Sequence, residues 1–309
     1  MKILSLLTIS TQLSRADAFV SAINRIAFTN VETQHDTALF AEGGPPQYDK
    51  FDAVLQHAEV LAEGSVLVRV STDANVDYQP GHVLALEIEG DTTNSDENEW
   101  MKGPYTVTRA TDKSFDILMR TVGEKSKKFA NAKSGTPLKF GGKFKVPIVE
   151  GIQKEDTKRV VFISTGVGVG PCIGAIEKAL EDKSFPPIEL FASYRTPGEI
   201  IYGTYLDELK GQYPGRLSSV STVSSENGRL SGSVENLQAI ISKEAMSLKD
   251  THYHLIGNGQ MVSEFKEGLK QAGVPKDKVT IEMYFNHKEP KNDDVVNRIA
   301  GAISASAEA

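Results

Sequence analysis

Between residues 53 and 145 the apolar residues fall in short, β-branched runs with no strong helical period. Val66, Leu67, Val68 and Val70 form one run, and Val83, Leu84, Leu86 and Ile88 form another after a Pro80-Gly81 turn. Further strands are predicted over 105–109, 115–122 and 137–145, while the acidic stretch 91–99 reads as a surface loop. Short strands at this spacing, separated by Gly-containing turns, predict an antiparallel β-barrel. Near residue 151 the texture changes. Residues 159–164 form a continuous apolar strand, the pattern of a strand covered by helices on both faces. Helices predicted over 173–180, 203–210, 234–241 and 261–272 then alternate with strands over 188–193, 217–223, 252–256 and 279–284. That alternation predicts a doubly wound parallel sheet. The fold class is therefore α/β plus β-barrel, divided into 1–48 (presequence and linker), 49–150 (barrel), 151–287 (α/β domain) and 288–309 (C-terminal tail, Ala/Ser-rich after Asn297).

A chain of 309 residues is long enough for two such cores. No apolar run reaches the roughly eighteen residues of a membrane helix. The single cysteine, Cys172, excludes an intramolecular disulfide or a cysteine-rich metal site, and the six histidines show no metal-ligand spacing. A formal charge of −7 argues against general nucleic-acid binding. At the N-terminus, Lys2 precedes a short apolar stretch over 3–9, then Ala16-Asp17-Ala18, as at a signal-peptidase site. Phe19 follows directly, and then a Ser/Thr-containing segment with Arg25. This start resembles the bipartite plastid presequences of algae with secondary plastids; secretion is the alternative.

The strongest local signal is Gly166-Val167-Gly168-Val169-Gly170-Pro171, directly after the first strand of the α/β half. Glycines permit a sharp turn and close backbone approach to a ligand. The following helix N-terminus suits a pyrophosphate, and Pro171 fits the first helical turn. The position, after a buried strand and before a helix, points to nucleotide binding.

Ser164-Thr165-Gly166-Val167-Gly168-Val169-Gly170-Pro171 resembles the T-G-T-G-x-x-P nicotinamide loop of the ferredoxin–NADP⁺ reductase superfamily, and other segments agree in order. Tyr78-Gln79-Pro80-Gly81-His82 resembles F-x-P-G-Q, and Gly103-Pro104-Tyr105-Thr106 the flavin motif R-x-Y-[ST]. Gly123-Glu124-Lys125-Ser126 resembles the G-x-x-S that closes on flavin phosphates, and Gly141-Gly142-Lys143-Phe144 the G-x-F turn. Ala192-Ser193-Tyr194-Arg195 with Ile201-Tyr202 resembles G-x-R…Y. Gly257-Asn258-Gly259-Gln260-Met261 resembles C-G-x-x-x-M, and Glu282-Met283-Tyr284 the closing strand. The resemblance spans residues 51–286.

It implies a flavin-dependent oxidoreductase with FAD and NADP or NAD as cofactors. Tyr105 would pack on the flavin and Thr106 hydrogen-bond to it, with Val107 and Thr108 continuing that segment. Lys102, Gly123, Lys125 and Ser126 would complete the flavin site. Thr165, Gly166, Gly168, Gly170, Pro171, Arg195, Ser224, Ser225, Arg229, Gly257, Asn258, Gly259 and Met261 would hold the nicotinamide nucleotide. Tyr105, Glu282 and Tyr284 would stand at the chemistry, which the flavin itself supplies.

Four positions depart from the family pattern. Gly103 replaces the Arg expected at the FAD pyrophosphate, leaving Lys102 as the nearest cation in sequence, and leaving FMN open beside FAD. Ile256 replaces the Cys beside the nicotinamide. Ser225 replaces the Arg that meets the 2′-phosphate of NADP, so Arg195 and Arg229 are the remaining candidates and the choice between NADPH and NADH stays open. Tyr284 does not end the chain. Finally, Lys125, Lys127, Lys128, Lys133, Lys139, Lys143 and Lys145 make a basic segment in an acidic protein. As a positive rim it would steer an acidic carrier such as ferredoxin or flavodoxin; a solvated lysine-rich loop, or a small-molecule acceptor, is the alternative. A sensor or complex subunit without fast turnover is the second functional class, and an interaction module binding no flavin the third.

Overall fold

The structure, a computed structural model, describes residues 48–90, 100–233, 236, 237, 240, 249–284 and 290–307. The presequence over 1–48 (save Tyr48), the loop over 91–99 and most of the helix predicted over 234–241 lie outside the described residues. Residues 49–309 form one compact unit.

Seven antiparallel strands form the first sheet: β1 (Lys50–Ala62), β2 (Ser65–Ser71), β3 (Val83–Glu89), β4 (Trp100–Thr106), β5 (Arg109–Thr111), β6 (Ser114–Arg120) and β7 (Pro137–Phe144). Their order is β4-β3-β7-β1-β2-β6-β5. The two outer strands, β4 and β5, are consecutive in the chain, so the run between them closes the barrel. The sequence predicts one strand over 105–109; the backbone shows why there are two. Val107 N–H donates to His82 O beside β3, whereas Thr108 N–H donates to Asp116 O of β6. The hydrogen bonds change partner strand within one residue. Leu55, Val68, Leu84, Leu86, Phe115, Ile117 and Phe140 fill the interior. Helix α1 (Glu124–Asn131), not predicted, caps it with the fully buried Phe129.

The second sheet is parallel, with β8 (Arg159–Thr165), β9 (Ile188–Tyr194), β10 (Leu217–Val223), β11 (Thr251–Asn258) and β12 (Val279–Tyr284) in the order β10-β9-β8-β11-β12. Among the described residues its long helices are α2 (Val169–Glu181), α3 (Gly203–Gln212), α4 (Gly259–Gln271) and α5 (Asp293–Ala307). The alternating pleat sends Val160 and Phe162 of β8 toward α2 and α3, and Val161 and Ile163 toward α4 and α5. Burial on both faces accounts for the unbroken apolar run. Among the described residues no helix is long and apolar enough to cross a membrane.

The expected tail is largely helix α5. Its Val295, Val296, Ile299 and Ile303 are buried, each contributing roughly 1.5–3 kcal/mol over exposure. Asn292 starts it, its side-chain oxygen accepting from Asp294 N–H (3.0 Å).

The two sheets are joined by specific contacts. Arg109 of β5 makes a two-pronged ion pair with Glu177 of α2 (2.7 and 2.5 Å), and the Tyr205 hydroxyl donates to the same carboxylate (2.5 Å). A Cβ on Gly174 would lie 1.8 Å from the Thr108 carbonyl oxygen. Only glycine lets α2 rest directly on the β4–β5 crossing.

Candidate functional site

In the parallel sheet the chain order reverses between β8 and β11, and the crevice at the carboxyl ends of these strands is where such sheets bind ligands. Two turns meet there. The Thr165 hydroxyl accepts from Asn258 N–H (2.7 Å), tying the end of β8 to the end of β11. Gly257 has φ 122°, and a Cβ there would lie 2.2 Å from the Thr165 hydroxyl. Gly166, at φ 53°, has open space where a Cβ would be.

The other glycines of the first turn are used differently. A Cβ on Gly168 would lie 3.0 Å from Ile256 O, and one on Gly170 would lie 2.8 Å from Thr108 Oγ1 and from Leu118 Cβ. Gly168 is packed against β11 and Gly170 against the barrel, and Pro171 is buried. Of the three turn glycines, Gly166 is the one that opens to a ligand.

A cavity of about 210 Å³ lies over these turns. Thr165, Gly166, Arg195, Ser224, Arg229, Gly257, Asn258, Met261 and Tyr284, all expected from sequence, line it. So do Arg120, Ser193, Glu199 and Ser231, which sequence reasoning missed. Arg120 belongs to the barrel, at the end of β6, and pairs with Glu199 (3.3 Å). No local pattern marks such a residue. Three arginines against one carboxylate give the cavity a positive lining suited to phosphates. Ser225 and Gly259 do not line it: Ser225 N–H donates to Arg195 O (3.1 Å), and Gly259 is the first residue of α4.

In the barrel, the space beside Gly103 is filled by Lys125. A Cβ at 103 would lie 2.6 Å from Lys125 Nζ, which donates to Lys102 O (2.6 Å) and lies 5.9 Å from the Tyr105 ring centre. Burial holds the Lys125 ammonium below the usual lysine range. Lys102, the cation expected to compensate for the missing Arg, instead faces the Glu87 carboxylate (4.0 Å). Tyr105 packs edge-on to Phe129 (5.7 Å between ring centres), and burial pushes its phenol up. Ser126, in the first turn of α1, donates to Val122 O (2.9 Å). Gly123, at φ 87°, precedes α1 in open space, and no side chain caps this helix. Val107 lies in the barrel core, and the Thr108 hydroxyl accepts from Leu118 N–H (3.2 Å).

The two halves meet chemically at Thr106, whose hydroxyl donates to Glu282 Oε1. Glu282 is buried, which raises its pKa and favours the neutral carboxyl; Lys145, Thr106 and Tyr284 oppose that shift. Burial and the Glu282 carboxylate raise the Tyr284 phenol in turn. On the same face of the sheet, His252 and His254 share the Thr280 hydroxyl (2.9 and 2.8 Å). Burial pushes them down to about 4 and about 3, keeping both neutral.

The expected basic rim is largely engaged in local contacts. Lys125 is turned inward, Lys139 lies over the Trp100 ring (4.6 Å), and Lys143 pairs with Asp77 (2.6 Å). Lys127 and Lys133 are exposed.

Residues 162–267 match the family model of the oxidoreductase NAD-binding domain. No curated protein matches the sequence. The fold is similar to that of a ferredoxin NADP⁺ reductase from Neisseria gonorrhoeae with bound FAD and NADP, at 16% identity and a TM-score of 0.65, covering 77% of this chain and 100% of that one. It is also similar to flavohemoglobin from Malassezia yamatoensis with bound FAD and heme, at 17% identity and a TM-score of 0.63. That match covers 76% of this chain but only 60% of the flavohemoglobin. The cytochrome b5 reductase domain of Ulva prolifera nitrate reductase matches at 18% identity and a TM-score of 0.59, covering 75% of this chain and 97% of that one. At these identities the likeness concerns the fold.

Proposed function

From a ferredoxin reductase-like fold whose α/β half matches an oxidoreductase NAD-binding domain, we propose that this protein is a flavin-dependent oxidoreductase, moving a hydride between NAD(P)H and FAD and passing electrons to an acceptor. The observation that carries this reading is the joining of the two glycine turns, Thr165 to Asn258, at the reversal of the sheet, beneath a cavity lined by Arg120, Arg195 and Arg229. Gly166 provides the backbone approach, and the arginines suit the phosphates of a dinucleotide.

FAD, when bound, supplies the hydride and single-electron chemistry. The residues that would hold it are Tyr105, Thr106, Lys125 and the uncapped start of α1 at Gly123. Lys125 stands beside the position where the family pattern has an Arg. Tyr284 lines the nucleotide cavity and shares its polar cluster with Thr106, so it links the two cofactor positions. Glu282, its pKa raised by burial, stands at this junction and accepts from the Thr106 hydroxyl.

For the acceptor, an acidic carrier such as ferredoxin or flavodoxin fits the exposed Lys127 and Lys133 beside α1, which would act by electrostatic steering. A second reading, a cofactor-binding sensor or complex subunit without fast turnover, draws support from Ile256, fully buried and without a polar group at the second turn. Residues 1–48 are proposed to direct the protein to a plastid, which imaging of a fluorescent fusion in an algal cell tests. The function is tested by anaerobic stopped-flow mixing of the FAD-loaded full chain with NADPH and with NADH. Rapid bleaching of the visible flavin band is expected with at least one of them. A yellow protein that neither nucleotide bleaches would favour the sensor, and a protein taking up no FAD would remove both readings.

A further inference from the structure

Arg229 is an exposed residue on the loop after β10, yet its guanidinium is held in place from behind. Its NH2 group donates to Gln260 Oε1 (2.5 Å). The Gln260 amide is oriented from its other side, Nε2 donating to Glu264 Oε1 (3.0 Å). Glu264 is 1% exposed. Its remaining donors are the Ser231 hydroxyl, to Oε2 (2.7 Å), and the Asn292 backbone N–H, to Oε1 (3.3 Å).

Asn292 begins α5, so the last link of this relay belongs to the C-terminal helix. That helix has a second hold on the same loop, because Arg298 donates to Gly232 O (2.8 Å). It can approach because Gly268 of α4 has no side chain: a Cβ there would lie 2.5 Å from Ile299 Cγ2. Gln260 and Glu264 lie one turn apart on α4, whose start is fixed at the cavity floor by the Asn258 cap (3.0 and 3.2 Å).

A guanidinium on a surface loop has many rotamers, and fixing them beforehand removes an entropic cost from ligand binding. We infer that α5 is a selectivity element: through Asn292, Glu264 and Gln260, and through Arg298, it fixes Arg229 at the wall of the nucleotide cavity to bind a 2′-phosphate on the adenosine ribose. Glu264, Gln260 and Arg298 are positioning residues, while Arg229 touches the ligand. This inference rests on the nucleotide reading of the cavity.

The test is calorimetric titration of the full chain with adenosine 2′,5′-bisphosphate and with 5′-AMP. Arg229→Met is expected to weaken the bisphosphate roughly tenfold and leave 5′-AMP nearly unchanged. Glu264→Gln is expected to weaken the bisphosphate about fivefold with the same selectivity, and to add nothing in the double variant with Arg229→Met. Arg298→Met changes an exposed side chain, so it folds even if Glu264→Gln does not; a loss of about threefold for the bisphosphate alone is expected. Unchanged bisphosphate affinity in Glu264→Gln and Arg298→Met, losses that add to those of Arg229→Met, or equal losses for both probes overturn the inference. A parent protein that binds neither probe overturns the nucleotide reading itself, a result distinct from these.

Discussion

The turns from β8 into α2 and from β11 into α4 are in direct contact, and both are glycine-rich, yet they use glycine for different ends. In the second turn, Asn258 caps α4 with its own side chain, accepting from Gln260 and Met261 N–H. The start of α4 is thereby satisfied within the protein. In the first turn no side chain caps α2, whose N-terminus follows the 3₁₀ turn Gly166–Gly168. Gly168 of that turn, with Gly170 and Gly174 of α2, serves close packing. At the first turn the open backbone of Gly166 is what remains accessible, whereas the start of α4 is closed by asparagine. The comparison leaves Gly166 of the first turn open to the cavity and gives α4 the anchoring role.

Three substitutions break or sharpen this contrast. Gly174→Ala has the largest expected effect, because the new Cβ meets a backbone carbonyl that has no freedom to move away. A loss of about 3 kcal/mol is expected in urea denaturation; stability within about 0.5 kcal/mol of the parent would show that α2 does not rest on the barrel as described. Asn258→Ala removes the α4 cap and should cost about 1 kcal/mol of stability. If the midpoint of unfolding does not move, the anchoring role is wrong. Gly166→Asn has the smallest effect on stability, about 0.5 kcal/mol, because asparagine tolerates φ 53° and the site is open. Its consequence should appear in binding, with weaker 5′-AMP affinity by calorimetry. Unchanged affinity would move the phosphate site away from this turn.

Much of the α/β half was legible because its signals are local. The apolar run over 159–164 and the alternation after it required only burial on both faces of a sheet. The cavity-lining Thr165, Gly166, Gly257 and Asn258 sit in turns that neighbouring sequence defines. Helix α5, where a tail is expected, is legible in principle: Asn292, the acidic Asp293 and Asp294, and Val295, Val296, Ile299 and Ile303 at helical spacing mark it. The Ala/Ser-rich composition hid that period. The basic segment is legible only in part. Its lysines are adjacent in sequence, but strand alternation and the turn into α1 send Lys125, Lys139 and Lys143 to separate partners.

Chain order, hydrophobic period and turn chemistry thus determined a barrel followed by a doubly wound sheet and placed two glycine turns at strand ends, because each of these depends on residues a few positions apart. Only the tertiary structure decided which glycine faces the cavity, that Lys125 takes the space beside Gly103, and that Arg120 of the barrel lines the same cavity. It also decided that the C-terminal helix reaches Arg229 through Glu264. In each of these cases the deciding contact joins residues distant in sequence, and a side chain's role there depends on what the fold sets against it.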